Sequence, residues 1–212
     1  MESLEMETDR QAEPVIHVID DDRHMRDALL DLFLVTDWQA AAYSSGSEFL
    51  ASVNATGPGC IVIDLRMPGE TGLDVQKRLN SIGSRMPVIF LTAHGDVAAS
   101  VTAMKAGACD FITKPFVTHD LLAAVGNAIR MDGERRKLEA ERDRIGALAD
   151  TLTPREQQVM FGVVSGLMNK QVAYELGISE MTVKLHRMSV MRKMQSRSLA
   201  DLVRKVEKLR KN

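Results

Sequence analysis

The chain has 212 residues, 45% of them hydrophobic and 26% charged, with a formal net charge of −2. That balance fits an ordinary globular protein of one large or two small domains and excludes a long disordered or fibrous chain. No apolar run reaches the roughly 18 residues of a membrane span, and Met1 to Glu13 is acidic and polar, unlike a signal peptide. A cytoplasmic protein without a membrane partner is therefore expected. The small net charge hides a division: residues 1–150 contain 15 Lys+Arg against 24 Asp+Glu, and residues 151–212 contain 12 against 5. An acidic module joined to a nucleic-acid-binding one would look like this. Cys60 and Cys109 have no metal-ligand spacing and are expected to be buried thiols of a reducing compartment.

In chain order, residues 1–13 read as a disordered lead-in. Val15 to Ile19 is an apolar strand running into Asp20-Asp21-Asp22, followed by an amphipathic helix to Val35. A second strand, Gln39 to Tyr43, leads to a helix started by a capping box of Ser45 and Glu48. After Gly57-Pro58-Gly59, the β-branched run Ile61-Val62-Ile63 predicts a strand buried on both faces and ending at Asp64 before a Pro-Gly turn. Thr71 caps a helix to about Ile82, Val88 to Leu91 is a fourth strand, Val97 to Ala106 a helix and Asp110 to Ile112 a fifth strand. Thr118 caps a helix to about Arg130. Alternating strands and helices with short loops predict a doubly wound (βα)5 parallel sheet of flavodoxin-like type over 14–130.

From 131 to 150 the composition turns to Glu, Arg, Lys and Ala. Opposite charges at helical spacing, as in Asp132/Arg136 and Lys137/Glu141, predict a solvated linker helix continuing the one before it. Met131, Leu138, Ile145 and Leu152 repeat every seven residues, but their companion positions are charged, which argues against a full coiled coil. Thr153-Pro154-Arg155-Glu156 opens an all-helical region, 151–212. Helices are expected to Leu167, over Asn169–Leu176, over Ser179–Met194 and over Ser198–Leu209. The turn at Gly177 between the second and third is the mark of a helix-turn-helix.

Chemistry concentrates at the strand ends. In such a sheet the first and third strands are neighbours, so Asp20 and Asp21 approach Asp64. Clustered carboxylates repel unless a hard cation sits among them, and Mg²⁺ suits few carboxylates, several waters and phosphate oxygens. The fourth strand ends at Thr92, a hydroxyl donor followed by small Ala93. The fifth ends at Lys114-Pro115, whose ammonium can pair with Asp64 or with phosphate oxygens. Together these make a site for phosphoryl transfer onto an aspartate.

Residues 14 to about 130 resemble the receiver domain of two-component response regulators. The whole chain resembles the NarL/FixJ group through Asp64-Leu65-Arg66-Met67-Pro68, Thr92-Ala93-His94-Gly95-Asp96 and Lys105-Ala106-Gly107-Ala108. The resemblance implies that Asp64 is phosphorylated by a sensor histidine kinase. Mg²⁺ would be held by Asp21, Asp64 and the Arg66 carbonyl, with Asp20 acting through water. Thr92 and Lys114 would contact the phosphoryl oxygens, with a cis Lys114–Pro115 bond. It also implies a switch pairing Thr92 with an aromatic that here is Phe111, without a hydroxyl, a residue that is equally core material. His94, two residues after Thr92, is close enough to influence phosphoaspartate hydrolysis, or is solvated surface. Beyond its own phosphoryl transfer and slow autodephosphorylation, no enzyme is expected.

Residues 153–209 resemble the LuxR-type helix-turn-helix through Leu152-Thr153-Pro154-Arg155-Glu156, Asn169-Lys170, Ala173, Leu176-Gly177-Ile178-Ser179 and Thr182-Val183-Lys184-Leu185-His186-Arg187. On the helical wheel, Val183, Val190 and Met194 form the buried stripe, and Lys184, Leu185, Met188 and Arg192 the opposite arc, which would enter the major groove. Lys184 matches a base-reading position and can donate to guanine, Leu185 suits thymine methyls, and Met188 departs from relatives with Lys. Thr182 falls within the matched motif, and Lys170, Arg192 and Lys193 are expected at phosphates. His186, on the flank of the buried stripe, is expected to be structural. The resemblance further implies a homodimer on phosphorylation, through the helix over 97–106, the fifth strand and the following helix. Binding of operator DNA with inverted half-sites, partly through the last helix, and transcriptional activation with RNA polymerase are implied as well. Two rivals stand against it. A haloacid-dehalogenase-type phosphohydrolase needs its nucleophile on the first strand with a second Asp two residues on, and a phosphorylation-independent DNA-binding dimer needs a degenerate receiver.

Overall fold

The computed structural model describes residues 13–53, 55–93, 104, 105 and 107–210. The chain divides into two units, 1–135 and 136–212. In the first unit β1 (Val15–Ile19), β2 (Gln39–Tyr43), β3 (Gly59–Asp64), β4 (Val88–Ala93) and β5 (Asp110–Lys114) form one sheet in the order β2-β1-β3-β4-β5. All four pairings are parallel. This is the doubly wound order expected from the sequence, with its switch point between β1 and β3.

The apolar run of β3 alternates between two cores because successive side chains of a strand face opposite sides. Ile61 and Ile63 pack with Phe49, Val75, Leu79 and Phe90, whereas Cys60 and Val62 pack with Phe33, Leu121 and Val125. Helices α1 (Arg23–Leu34), α2 (Gly46–Ser52), α3 (Gly72–Ser81) and α4 (Thr118–Asp150) accompany the strands. The expected helix over Val97–Ala106 lies outside the described residues apart from Met104 and Lys105, which are helical. His94 and the lead-in to residue 12 also lie outside them.

Local starts differ from expectation in instructive ways. Thr71 and Asp74 close a reciprocal capping box. Ser45 accepts from the Glu48 N–H, but the Glu48 carboxylate reaches one residue further back, to the Ser44 N–H at 2.7 Å and the Ser44 hydroxyl, so the box is only half formed. Thr118 does not cap its helix: it is the first helical residue, and the Leu121 N–H bonds the Val117 carbonyl instead. The stretch 131–150 does continue the helix, but it is not uniformly solvated. Asp132 is buried and accepts from the Gly59 N–H at 3.1 Å, and Ile145 is fully buried in the second unit. Cys60 is buried, its thiol pushed up to about 12 by desolvation, while Cys109 is only partly covered.

The second unit contains the end of α4, then α5 (Pro154–Val164), α6 (Asn169–Leu176), α7 (Glu180–Lys193) and α8 (Leu199–Arg210). Thr153, Pro154 and Glu156 form the expected capped start. The first of these helices stops at Val164, not Leu167, because Gly166 turns left-handed (φ 88°) and the Leu167 N–H folds back to the Gly162 carbonyl. Gly177, at φ 64°, ends α6 in the same way, with the Ile178 N–H bonding the Ala173 carbonyl. Val159, Val163, Val172, Ala173 and Val183 then form a core that fixes α6 against α7.

Candidate functional sites

The first site forms where β1 and β3 end side by side. Ile19 pairs with Ile63, so Asp20, just past the end of β1, and Asp64, the last residue of β3, come side by side. Asp20 is 1% exposed, Asp64 is half-buried and Asp21 is exposed. Oxygens of the three carboxylates all lie within 4.8 Å of one another. Lys114, from the end of β5, places its Nζ 2.8 Å from Asp20 Oδ2 and 2.7 Å from Asp64 Oδ2. Asp64 was the acid expected for this ammonium; it meets Asp64 and bridges to Asp20 as well. Burial raises the Asp20 carboxyl above the usual range, against the bonds from Lys114 and from the Asp22 N–H at 2.9 Å. Burial works against the Lys114 ammonium, yet its bonds to Asp20 and Asp64 prevail and leave it raised.

The other Asp64 oxygen, Oδ1, accepts from the Arg66 N–H at 3.0 Å. One oxygen is thus held by backbone and the other by an ammonium, which orients the carboxylate. Gly72, the first residue of α3, explains why the helix can sit so close. A Cβ there would lie 2.5 Å from the Asp64 carbonyl oxygen and 2.9 Å from the Phe90 ring. Thr92 is buried on β4, one residue beyond Leu91, the register partner of Asp64. Phe111 is half-buried on β5, beside Phe90 of β4, and packs with the Ile63 core. The Lys114–Pro115 bond is cis, as expected. Sequence reasoning missed Arg26, whose guanidinium donates to the Asp20 carbonyl at 2.7 Å and the Asp21 carbonyl at 3.0 Å. It braces the acidic turn from one turn inside α1, and no local motif announces it.

The second site is the outer face of α7. Val183, Val190 and Met194 are buried and Lys184, Leu185, Met188 and Arg192 are exposed, as the helical wheel predicts. His186, expected to be structural, is half-buried. Ser179 caps the helix by accepting from the Thr182 N–H, and its hydroxyl lies 2.8 Å from that of Thr182. Lys170 is exposed at the start of α6. Lys193 is placed differently from the expected phosphate contact. Its ammonium meets Glu156 Oε2 at 2.7 Å and the Thr151 carbonyl at 3.0 Å, so a phosphate would have to compete with a buried carboxylate. Arg187, not singled out from sequence, donates to Asn169 Oδ1 at 2.5 Å and ties α7 to the start of α6. Met181 is a further exposed apolar side chain on the same helix.

These two sites define a phosphoacceptor-type acidic pocket and a helix-turn-helix in one chain, and the comparisons with known proteins agree. Residues 16–126 match the response regulator receiver domain and residues 150–206 the bacterial regulatory proteins of the luxR family. The chain belongs to the response regulators that join a receiver to a LuxR-type DNA-binding domain. It is 45% identical to nodulation protein W of Bradyrhizobium diazoefficiens, over 95% of this chain and 89% of that one. It is 43% identical to the transcriptional regulatory protein FixJ of Azorhizobium caulinodans, over 89% and 90%. Among solved structures it resembles the response regulator StyR, with a TM-score of 0.84 at 43% identity over 93% of this chain and 100% of that one. A receiver implies a histidine kinase and a LuxR-type domain implies DNA; receivers bind Mg²⁺ at an acidic pocket. No helix among the described residues is long and apolar enough to cross a membrane.

Proposed function

We propose that the chain is a cytoplasmic transcription factor switched by phosphorylation of Asp64. The observation that supports this most is the Lys114 ammonium bridging Asp20 and Asp64, with Asp21 in the same cluster. An Asp64 oxygen attacks the phosphorus of a kinase phosphohistidine, and the histidine nitrogen leaves with the bonding pair. Lys114 moves from carboxylate to phosphoryl oxygen as charge builds there, and the Thr92 hydroxyl donates to another. The Arg66 N–H and the backbone brace from Arg26 keep the carboxylate and acidic turn in place.

The donor set is all hard oxygen, three carboxylates against one ammonium, and this fits a divalent cation. Asp21, Asp64 and the Arg66 carbonyl would hold Mg²⁺, with Asp20 behind them through water. When bound it supplies neutralisation of the phosphate charge. Thr92 and Phe111 then move together, and with no hydroxyl on Phe111 the change is one of packing. The phosphorylated receiver dimerises. The paired α7 helices read inverted half-sites with Lys184, Leu185 and Met188, while Thr182, Lys170 and Arg192 set affinity and register at the backbone. RNA polymerase is the partner that turns binding into activation.

The test is sedimentation together with DNA binding, using duplexes selected from a random pool by the full chain. A small phosphodonor with Mg²⁺ is expected to shift wild type towards dimer and tighten DNA binding, and to leave Asp64→Asn unchanged. Equal responses from both, or none from wild type, would overturn the proposal.

A further inference from the structure

At the opposite end of the sheet from the acidic cluster lies a cavity of about 460 Å³, within the size range of small-molecule sites. It opens beside the first residues of β4 and β5, between α3 and the part of α4 that belongs to the first unit. Its walls are mainly apolar: Leu79, Pro87, Ala108 and three sulfur-bearing side chains, Met86, Cys109 and Met131. The Cys109 and Met131 sulfurs are 4.0 Å apart. Burial holds the Cys109 thiol above its ordinary range, so it presents a neutral, polarisable surface. Sulfur edges of this kind favour aromatic rings.

One polar group in this lining is unexplained. Gln76 on α3 is 3% exposed, and its Oε1 is buried with no hydrogen-bond partner among the described residues. A buried amide oxygen without a donor is costly, and such groups in folded proteins call for an explanation. On the rim, Arg135 is paired with buried Asp132, and Arg85, the third charge of the lining, also has an interaction within the chain. A net-charged ligand would have no free counter-charge in that pair.

We propose that this cavity binds a small neutral aromatic molecule carrying one N–H or O–H donor. Its ring lies against the three sulfurs and its donor reaches the Gln76 side-chain amide, which turns to present its oxygen. Nothing in the site overlaps the acidic cluster, so binding is independent of Asp64 chemistry.

The experiment is calorimetric titration of the full chain with indole, with N-methylindole as the ring that lacks a donor. Wild type is expected to bind indole saturably, one per chain, with a Kd below about 1 mM. N-Methylindole is expected to bind about tenfold more weakly or worse. Gln76→Leu should abolish that discrimination while keeping or raising the urea midpoint, because it removes an unpaired polar atom at similar volume. Ala108→Leu should weaken both ligands by filling the cavity, and Asp64→Asn should change neither. Absence of saturable binding, equal affinity of wild type for both ligands, or discrimination that survives Gln76→Leu would overturn the proposal. So would a lowered midpoint in Gln76→Leu, since it would mean that the amide already has a structural partner.

Discussion

Glu156 is the most connected buried charge of the second unit, and its removal has a calculable effect. Its carboxylate accepts from the Thr153 N–H at 2.8 Å, the Lys193 ammonium at 2.7 Å and the Ser189 hydroxyl at 2.5 Å. The Lys193 bond, then the Ser189 bond, hold its carboxyl down at about 2, against an ordinary 4.5. At ~1.4 kcal/mol per tenfold change in proton affinity, that difference sets a ceiling of about 3.5 kcal/mol. Lys193 is 28% exposed, so water screens the pair and reduces the electrostatic part to about 1–2 kcal/mol. Glu156→Gln keeps an oxygen for Thr153 and Lys193 and offers its NH₂ to Ser189 Oγ, so it should lose only that part. Glu156→Ala also loses the Glu156 half of the capping box, leaving the Thr153 N–H, Ser189 and Lys193 without this acceptor, and should cost about 2–4 kcal/mol.

The folded-state pKa lies below the unfolded one, so this stabilisation is complete above about 4.5 and is lost as pH falls through about 2. The gap between wild type and Glu156→Gln should therefore narrow across that window. Urea unfolding followed by far-UV circular dichroism reads it. Trp38, the one tryptophan, reports the first unit alone by fluorescence, and the helical signal outside that transition reports the second. Equal losses for Gln and Ala, or a gap that stays constant from neutral pH to pH 2, would refute the electrostatic reasoning.

Other outcomes follow from single contacts. Gly72→Ala should lower stability of the first unit by about 1–3 kcal/mol, because its Cβ meets the Asp64 carbonyl, and should slow phosphoryl incorporation; the Trp38 urea midpoint and the rate of mass gain check both. Asp132→Ala leaves the Gly59 N–H and the Arg135 guanidinium without their acceptor and should cost about 2–3 kcal/mol by the same midpoint, whereas Asp132→Asn, which keeps an acceptor, should cost less. Lys170→Ala should weaken binding to all duplexes alike and reduce the salt slope by about 1, while Lys184→Ala should relax preference at one base pair by about 1–3 kcal/mol; anisotropy titrations over a range of salt and over single-base variants separate the two.

Much of this was legible from local pattern. The run Ile61-Val62-Ile63 ending at Asp64 reads as a buried parallel strand because both of its faces are apolar, and the cluster follows once β1 and β3 are neighbours. The buried stripe of α7 and the caps at Thr71 and Thr153 likewise depend on spacing within one element. What escaped depends on partners distant in sequence. Asp132 bonds Gly59 across 73 positions and Lys193 bonds Glu156 across 37, so an apparently solvated charge in each case is anchored by the fold. Glu48 shows the same limit at short range: the residue types of a capping box were present, but the carboxylate chose Ser44.

The central claim is that Asp64 accepts the phosphoryl group, and intact mass tests it most directly. Wild type and Asp64→Asn are incubated with a small phosphodonor, with Mg²⁺ or with chelator. The account predicts a gain of one phosphoryl group in wild type with Mg²⁺ and none in the other three samples. A gain in Asp64→Asn, or none in folded wild type with Mg²⁺, would contradict it.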